Sequence, residues 1–501
     1  MTASRRGVFV LSLAVVASAA LGASCRVAGQ RGSEAARTQG RVHLQPCASG
    51  SYARDALCGT YEVWEDRDAK AGRKIALNLV VLPATGRSHA ADPVFWLAGG
   101  PGGAATDDAR SDFRLLTSAR DSRDLVFVDQ RGTGGSNGLQ CDFDDDSQNL
   151  PEFFGPLFPA GNVRACRERL QKIANLQLYT TPVAMDDLDE VRGALGYDRI
   201  NVAGASYGTF AAQVYLRRHP EHVRTVFLGG VATPDIKQPL LFPRSAQLAL
   251  NEAFKDCDAD ADCRAHFPDV AKEFAAVLAR FDAGPVRMDL VDPRTKGKVQ
   301  VNVLREAFVE RLRLALYTTG TARFVPYIIH RAYAGDYVPF EALAIAADAG
   351  GGIARGMYMT VTCSEGVPFI SDSDLLNETR GTFVGEARVR DHIQACADWP
   401  RGAIPKDYAQ LVRSNLPVLM ISGKADGATA PWFAESAIKN FPNGRLVEIP
   451  HYGHQLNGSC VAGIFEEFIE KGSAQGIDAA CAAETRRPPF ATELPKEFAL
   501  Q

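Results

Sequence analysis

No stretch of this 501-residue chain is both apolar and long enough, about 20 residues, to cross a bilayer, so no membrane span is expected. It has no block of like charge either. Lys and Arg number 55 against 59 Asp and Glu, a net charge of −4, which points away from nucleic acid and from a polybasic membrane patch. There is no Cys-x-x-Cys, and no pair of histidines has the spacing of a zinc helix beside a carboxylate, so neither a metal nor a cofactor is expected. Internal repeats are absent. With 46% hydrophobic and 23% charged residues the chain is neither disordered nor fibrous, and its length suits two or three domains of about 150 residues. Its partners are expected to be small or peptidic, with nothing in the sequence to set an oligomeric state.

What is present begins with a leader. Arg5 and Arg6 precede an apolar run from Val8 to Ala20 and small residues through Ser24, the pattern of a secretory signal peptide over residues 1–24. The arginine pair also fits a twin-arginine export signal, and Gly22-Ala23-Ser24-Cys25 resembles a lipoprotein cleavage box, so Cys25 is a candidate for lipidation. An exported protein, periplasmic or secreted and with or without a lipid anchor at Cys25, is the expectation. Setting Cys25 aside leaves ten of the 11 cysteines, an even number suited to disulfides. Sequence neighbours are the expected pairs: Cys47 with Cys58, Cys141 with Cys166, Cys257 with Cys263, Cys363 with Cys396, and Cys460 with Cys481. Spacing alone leaves other connectivities open.

Residues 25–45 are small and polar and read as a tether. Short apolar runs then alternate with helical stretches or turns: Ile75 to Leu82, Pro93 to Leu97, Asp124 to Val128, Arg199 to Val202 and Val223 to Leu228. That alternation predicts an α/β fold, a mostly parallel sheet with helices on both faces, whose first part spans 46–235. Periodicity changes to 3.6 at Ser245 to Phe254, Val270 to Phe281 and Leu304 to Leu316, which predicts a mainly helical insertion, or cap, over 236–405. The strand pattern returns at Leu416 to Ser422 and Arg445 to Ile449, giving a second core segment over 406–485 and a tail over 486–501. Asp256 to Cys263 alternates Asp as a calcium loop does, but it lacks the loop's glycine and final glutamate and reads as a disulfide-closed turn.

Gly204-Ala205-Ser206-Tyr207-Gly208 follows a strand and opens an apolar helical stretch, the context in which Gly-x-Ser-x-Gly presents a nucleophile. The competing reading is a helix-capping serine. A serine hydroxyl needs a base, and the base needs an orienting carboxylate. Asp426 lies just past the strand ending at Ser422, and His454 lies past the next strand, with His451 as the other histidine of that loop. Ala98-Gly99-Gly100-Pro101-Gly102-Gly103 follows a strand and lacks the Gly-Lys-Ser/Thr ending of a phosphate loop. It reads as an oxyanion loop, with the amides of Gly100 and Tyr207 as donors.

Taken together, Gly99 to Gly102, Asp129-Gln130-Arg131-Gly132-Thr133-Gly134-Gly135-Ser136, Gly204 to Gly208, Thr362-Cys363-Ser364-Glu365, Ser422 to Asp426 and Gly453-His454 resemble the proline iminopeptidase and tripeptidyl aminopeptidase family of α/β-hydrolases. The Cys-rich C-terminal part is similar to the tripeptidyl branch. The resemblance implies Ser206, Asp426 and His454 as a catalytic triad, Asp129 and Arg131 as structural support for the oxyanion loop, and Glu365 as the holder of the substrate's free amino group. It implies a serine exopeptidase acting on peptide substrates. A carboxylesterase or lipase-like hydrolase using the same triad is the alternative. The family usually carries His where this chain has Ala98, and often Pro where it has Gly427, so proline specificity is not implied.

Overall fold

The computed structural model describes residues 37–48, 50–110, 114–143, 147–348 and 352–495. The leader at 1–24, Cys25 and the first part of the expected tether lie outside the described residues.

Ten strands form one sheet: β1 (Arg37–Gln39), β2 (Val42–Pro46), β3 (Leu57–Trp64), β4 (Lys74–Leu82), β5 (Val94–Leu97), β6 (Leu125–Val128), β7 (Ile200–Ala205), β8 (Val223–Gly229), β11 (Val418–Gly423) and β12 (Gly444–Ile449). Two more, β9 (Val286–Val291) and β10 (Lys298–Val303), pair with each other elsewhere. The large sheet runs β1-β2-β3-β4-β6-β5-β7-β8-β11-β12. From β6 to β12 every pairing is parallel. Each residue of β5, β6 and β11 is buried, as expected for strands covered on both faces.

Two expectations are corrected. Residues 37–45, read as part of a tether, belong to β1, β2 and the turn between them. Val42 and Leu44 are buried and alternate with exposed His43 and Gln45, a period-2 pattern too short to register as an apolar run. The run at Ile75 to Leu82 belongs to an antiparallel part of the sheet: β4 pairs antiparallel with both β3 and β6. No helix intervenes between β3 and β4, and a short connection permits only antiparallel neighbours.

Between β8 and β11 the chain forms helices at Phe242–Ala259, Val270–Asp282, Arg305–Ala315, Val325–Tyr333, Val338–Asp348, Arg355–Glu365 and Ala387–Ala395, among others. The strand pair β9–β10 interrupts them. Met288, Leu290, Val301 and Val303 are buried on one face, while charged and amide side chains alternate on the other and break up the apolar signal. The insertion has its own core, including Phe274, Phe281, Phe308 and Phe340. Phe490 and Ala491, in the expected tail, are buried in that core as well. All ten described cysteines pair as sequence neighbours: 47–58, 141–166, 257–263, 363–396 and 460–481. The acid-rich turn is closed by Cys257–Cys263.

Candidate active site

Ser206 stands between the end of β7 and the helix Tyr207–Arg218 with φ 56° and ψ −125°, a conformation that L-residues rarely adopt. The flanking glycines permit the turn. A Cβ on Gly204 would lie 2.4 Å from the carbonyl oxygen of Gly208, and one on Gly208 would lie 2.1 Å from that of Leu97. Ser206 occupies the cap position of the helix but makes no side-chain capping bond, so its hydroxyl is not spent on the helix terminus.

Asp426 is fully buried in the turn after β11. Its Oδ1 accepts the amides of Ala428 and Thr429, both at 2.8 Å, and its Oδ2 accepts Thr429 Oγ1 at 2.9 Å. The same Oδ2 lies 2.8 Å from Nδ1 of His454. Thr429 Oγ1 is also 3.1 Å from that nitrogen, and the His454 amide donates to the carbonyl of Tyr317, at 2.5 Å, from the insertion. His451 is engaged elsewhere, with its Nδ1 2.9 Å from Asp256. Geometry therefore separates the two histidines that the loop sequence left side by side.

The glycine loop runs against Ser206: a Cβ on Gly99 would fall 3.2 Å from that of the serine. Tyr207 is the first residue of its helix, where amides lack intrahelical acceptors. Asp129 is fully buried. It accepts from the amide and hydroxyl of Thr106 at 2.9 and 3.0 Å, from the Gly135 amide at 2.9 Å and from Asn78 Nδ2 at 2.9 Å. Thr106 lies three residues past the glycine loop, so Asp129 braces that loop against β4. Arg131, equally buried, holds a different region. It forks onto Asp187 at 2.6 and 2.9 Å and donates to the carbonyls of Trp64, Glu65 and Leu178. The joint role expected of the two residues thus divides between two parts of the fold.

Glu365 ends the helix Arg355–Glu365 and is buried. Its Oε1 accepts the Thr181 amide at 2.6 Å, while Oε2 accepts the Thr181 hydroxyl at 2.7 Å and the Tyr408 hydroxyl. The Thr181 hydroxyl also meets the Tyr207 hydroxyl at 2.7 Å, tying Glu365 to the residue beside Ser206. Burial pushes the carboxyl up to about 7 against the pull of these donors. Thr181, Tyr408 and Thr429 carried no sequence signal, because each matters only through a partner distant in the chain.

Ser206, Tyr207, Gly100, His454 and Glu365 all line one cavity of about 900 Å³. Its other wall comes from the insertion, including Phe242, Glu310, Arg313, Tyr317 and Arg388. Glu310, Arg311 and Arg313 interrupt the apolar face of the helix Arg305–Ala315, a signal that sequence reading passed over. Among the described residues, Asp189, His219 and His222 come within metal-ligating reach of one another, a grouping not expected from the sequence. Asp189 is already taken up by Arg192, Tyr215 and His222, an arrangement that satisfies its oxygens without an ion.

The sheet, with its strand–turn–helix at Ser206, has the α/β-hydrolase fold, and the protein is a serine hydrolase. A family model described as the alpha/beta hydrolase fold matches residues 92–280, and one described as TAP-like protein matches 381–481. The chain is 26% identical over 521 residues to the Serine protease Hip1 of Mycobacterium tuberculosis, covering 94% of this chain and 96% of that protein. It is 24% identical over 491 residues to the Tripeptidyl aminopeptidase of Streptomyces coelicolor, covering 91% and 87%. Among solved structures, the proline iminopeptidase of Mycobacterium smegmatis aligns with a TM-score of 0.38 and 18% identity, over 82% of this chain and 98% of that one.

Proposed function

We propose that the protein is an exported serine exopeptidase that releases residues or short peptides from a free N-terminus. The observation that carries this reading is the 2.8 Å contact between His454 Nδ1 and buried Asp426, on a cavity that also holds the Ser206 hydroxyl. In this mechanism Asp426 fixes the proton on Nδ1, leaving Nε2 to take the proton of Ser206 as its Oγ attacks the scissile carbonyl. The amides of Gly100 and Tyr207 receive the oxyanion. His454 then gives its proton to the leaving amine, and water resolves the acyl-enzyme by the same route in reverse. The insertion at 236–405 acts as a cap over the core segments 46–235 and 406–485, and Glu365 binds the substrate ammonium. Relatives named as a serine protease and a tripeptidyl aminopeptidase, over nearly the whole chain, support a peptide substrate. Five disulfides support an oxidising compartment, periplasmic or secreted.

One feature favours the ester-hydrolase alternative. Glu365 already accepts three hydrogen bonds, which leaves little of its capacity for an ammonium. The deciding experiment is hydrolysis of fluorogenic mono-, di- and tripeptide amides, each free and N-acetylated, beside a short-chain ester, with Ser206→Ala as control. Cleavage of free but not acetylated amides, lost in the variant, is the expected result. Ester turnover without amide cleavage overturns it.

A further inference from the structure

Two of the arginines that line the cavity, Arg313 and Arg388, share one carboxylate, Glu310. Glu365 takes its hydrogen bonds from Thr181 and Tyr408, not from an arginine. Glu310 serves two guanidiniums at once. Arg313 grips it through Nε at 2.9 Å and Nη2 at 2.5 Å, and Arg388 Nη1 donates to the same Oε1. Both guanidiniums lie over the ring of Phe242, 4.5 and 4.6 Å from its centroid, which holds them in place as a pair.

On the side of this cavity one carboxylate, Glu310, serves two guanidiniums in a wall of low dielectric. The Arg388 side chain is only 10% exposed, its Nε is buried without a hydrogen-bond partner, and its Nη2 has only the Tyr358 hydroxyl at 3.4 Å. A guanidinium in the cavity wall whose Nη2 is only weakly engaged is stabilised by taking up an anion. Among the described residues, Glu306 and Asp391 are nearby acids; they line a smaller cavity that shares Arg388 and Glu310 with this one, and do not line the one that holds Ser206. Burial pushes the Asp391 carboxyl up, and the charge of Arg388 pulls it down.

We propose that Arg313 and Arg388 form a carboxylate-recognition subsite, which makes the enzyme prefer substrates bearing an acidic group in the part that the cavity encloses. For the nature of the substrate this rests on the exopeptidase reading. The carboxylate comes either from an Asp or Glu side chain in the released unit or from the C-terminus of a short peptide.

The test is kcat/KM of the mature chain on matched pairs. These are tripeptide amides with Glu or Gln at each position of the released unit, short peptides with a free or amidated C-terminus, and a monoaryl ester of adipic acid beside its methyl ester. The charged member of at least one pair is expected to be favoured about tenfold or more, and the pair that responds identifies the source of the carboxylate. Arg388→Gln should bring the preference towards one, whereas Glu310→Gln, which releases donors on both arginines, should raise it. Each preference is a ratio within one preparation, so loss of folded enzyme cancels. Equal rates on every pair, with turnover still dependent on Ser206, overturn the subsite and leave the peptidase reading standing. A preference unchanged by both substitutions overturns it too. Ester turnover without amide cleavage removes the peptidase reading, and the adipate pair still decides the subsite.

Discussion

His454 Nδ1 and Asp426 Oδ2 lie 2.8 Å apart, with the other oxygen of Asp426 held by two backbone amides. In Asp426→Asn the side-chain oxygen would keep those amides and turn an NH2 group towards Nδ1, forcing the proton onto Nε2. Activity should fall about 10⁴-fold in kcat with KM and thermal midpoint little changed, as read by steady-state kinetics and calorimetry.

Gly208→Ala places a Cβ 2.1 Å from the carbonyl oxygen of Leu97, and both are backbone, so β5 or the nucleophile turn must shift. We expect a loss of about 1–3 kcal/mol in stability together with loss of activity. Denaturant unfolding beside active-site titration with a fluorophosphonate measures both.

Asp129→Ala and Arg131→Gln should separate stability from activity. Each removes one partner of a buried polar cluster and should cost about 3–5 kcal/mol. Only Asp129 contacts the segment after the glycine loop, so only its loss should lower kcat per folded molecule. Active-site titration normalises the rates.

Glu365 has a folded-state value near 7 against an ordinary 4.5. Its stabilising contribution is fully present below about pH 4.5 and is lost as pH rises through about 7, a change on the order of 3 kcal/mol. Glu365→Gln should flatten the stability profile between those limits, as measured by urea unfolding from pH 4 to 8.

Cys363 lies in the helix that ends at Glu365, and Cys396 follows the helix that carries Arg388, closing a loop of 33 residues. Replacing both by Ala should cost about 3–4 kcal/mol, visible as a lower thermal midpoint under non-reducing conditions.

The central strands and the strand–turn–helix at Ser206 were legible because their causes are local. A buried parallel strand needs a continuous apolar run, and a nucleophile turn needs glycine where backbones touch, as at Gly204 and Gly208. β1, β2 and the β9–β10 pair escaped notice because their alternation is short or crossed by charges. The assignment of His454 over His451 could be argued from sequence, but the separation rests on Asp256 and Asp426, carboxylates that lie far from the loop in the chain.

By itself the sequence determined the fold class and the chain order of the candidate nucleophile, carboxylate and base, since each is written in residues close together or in spacing along the chain; it favoured neighbouring cysteines as pairs and left the connectivity to the structure. Tertiary structure alone decided that Asp129 and Arg131 brace different regions, that Thr181 and Tyr408 hold Glu365, and that Arg313 and Arg388 share Glu310 over the cavity. Those relations join side chains that only folding brings within hydrogen-bond reach, and the low dielectric that gives them their strength exists only once the chain has closed around them.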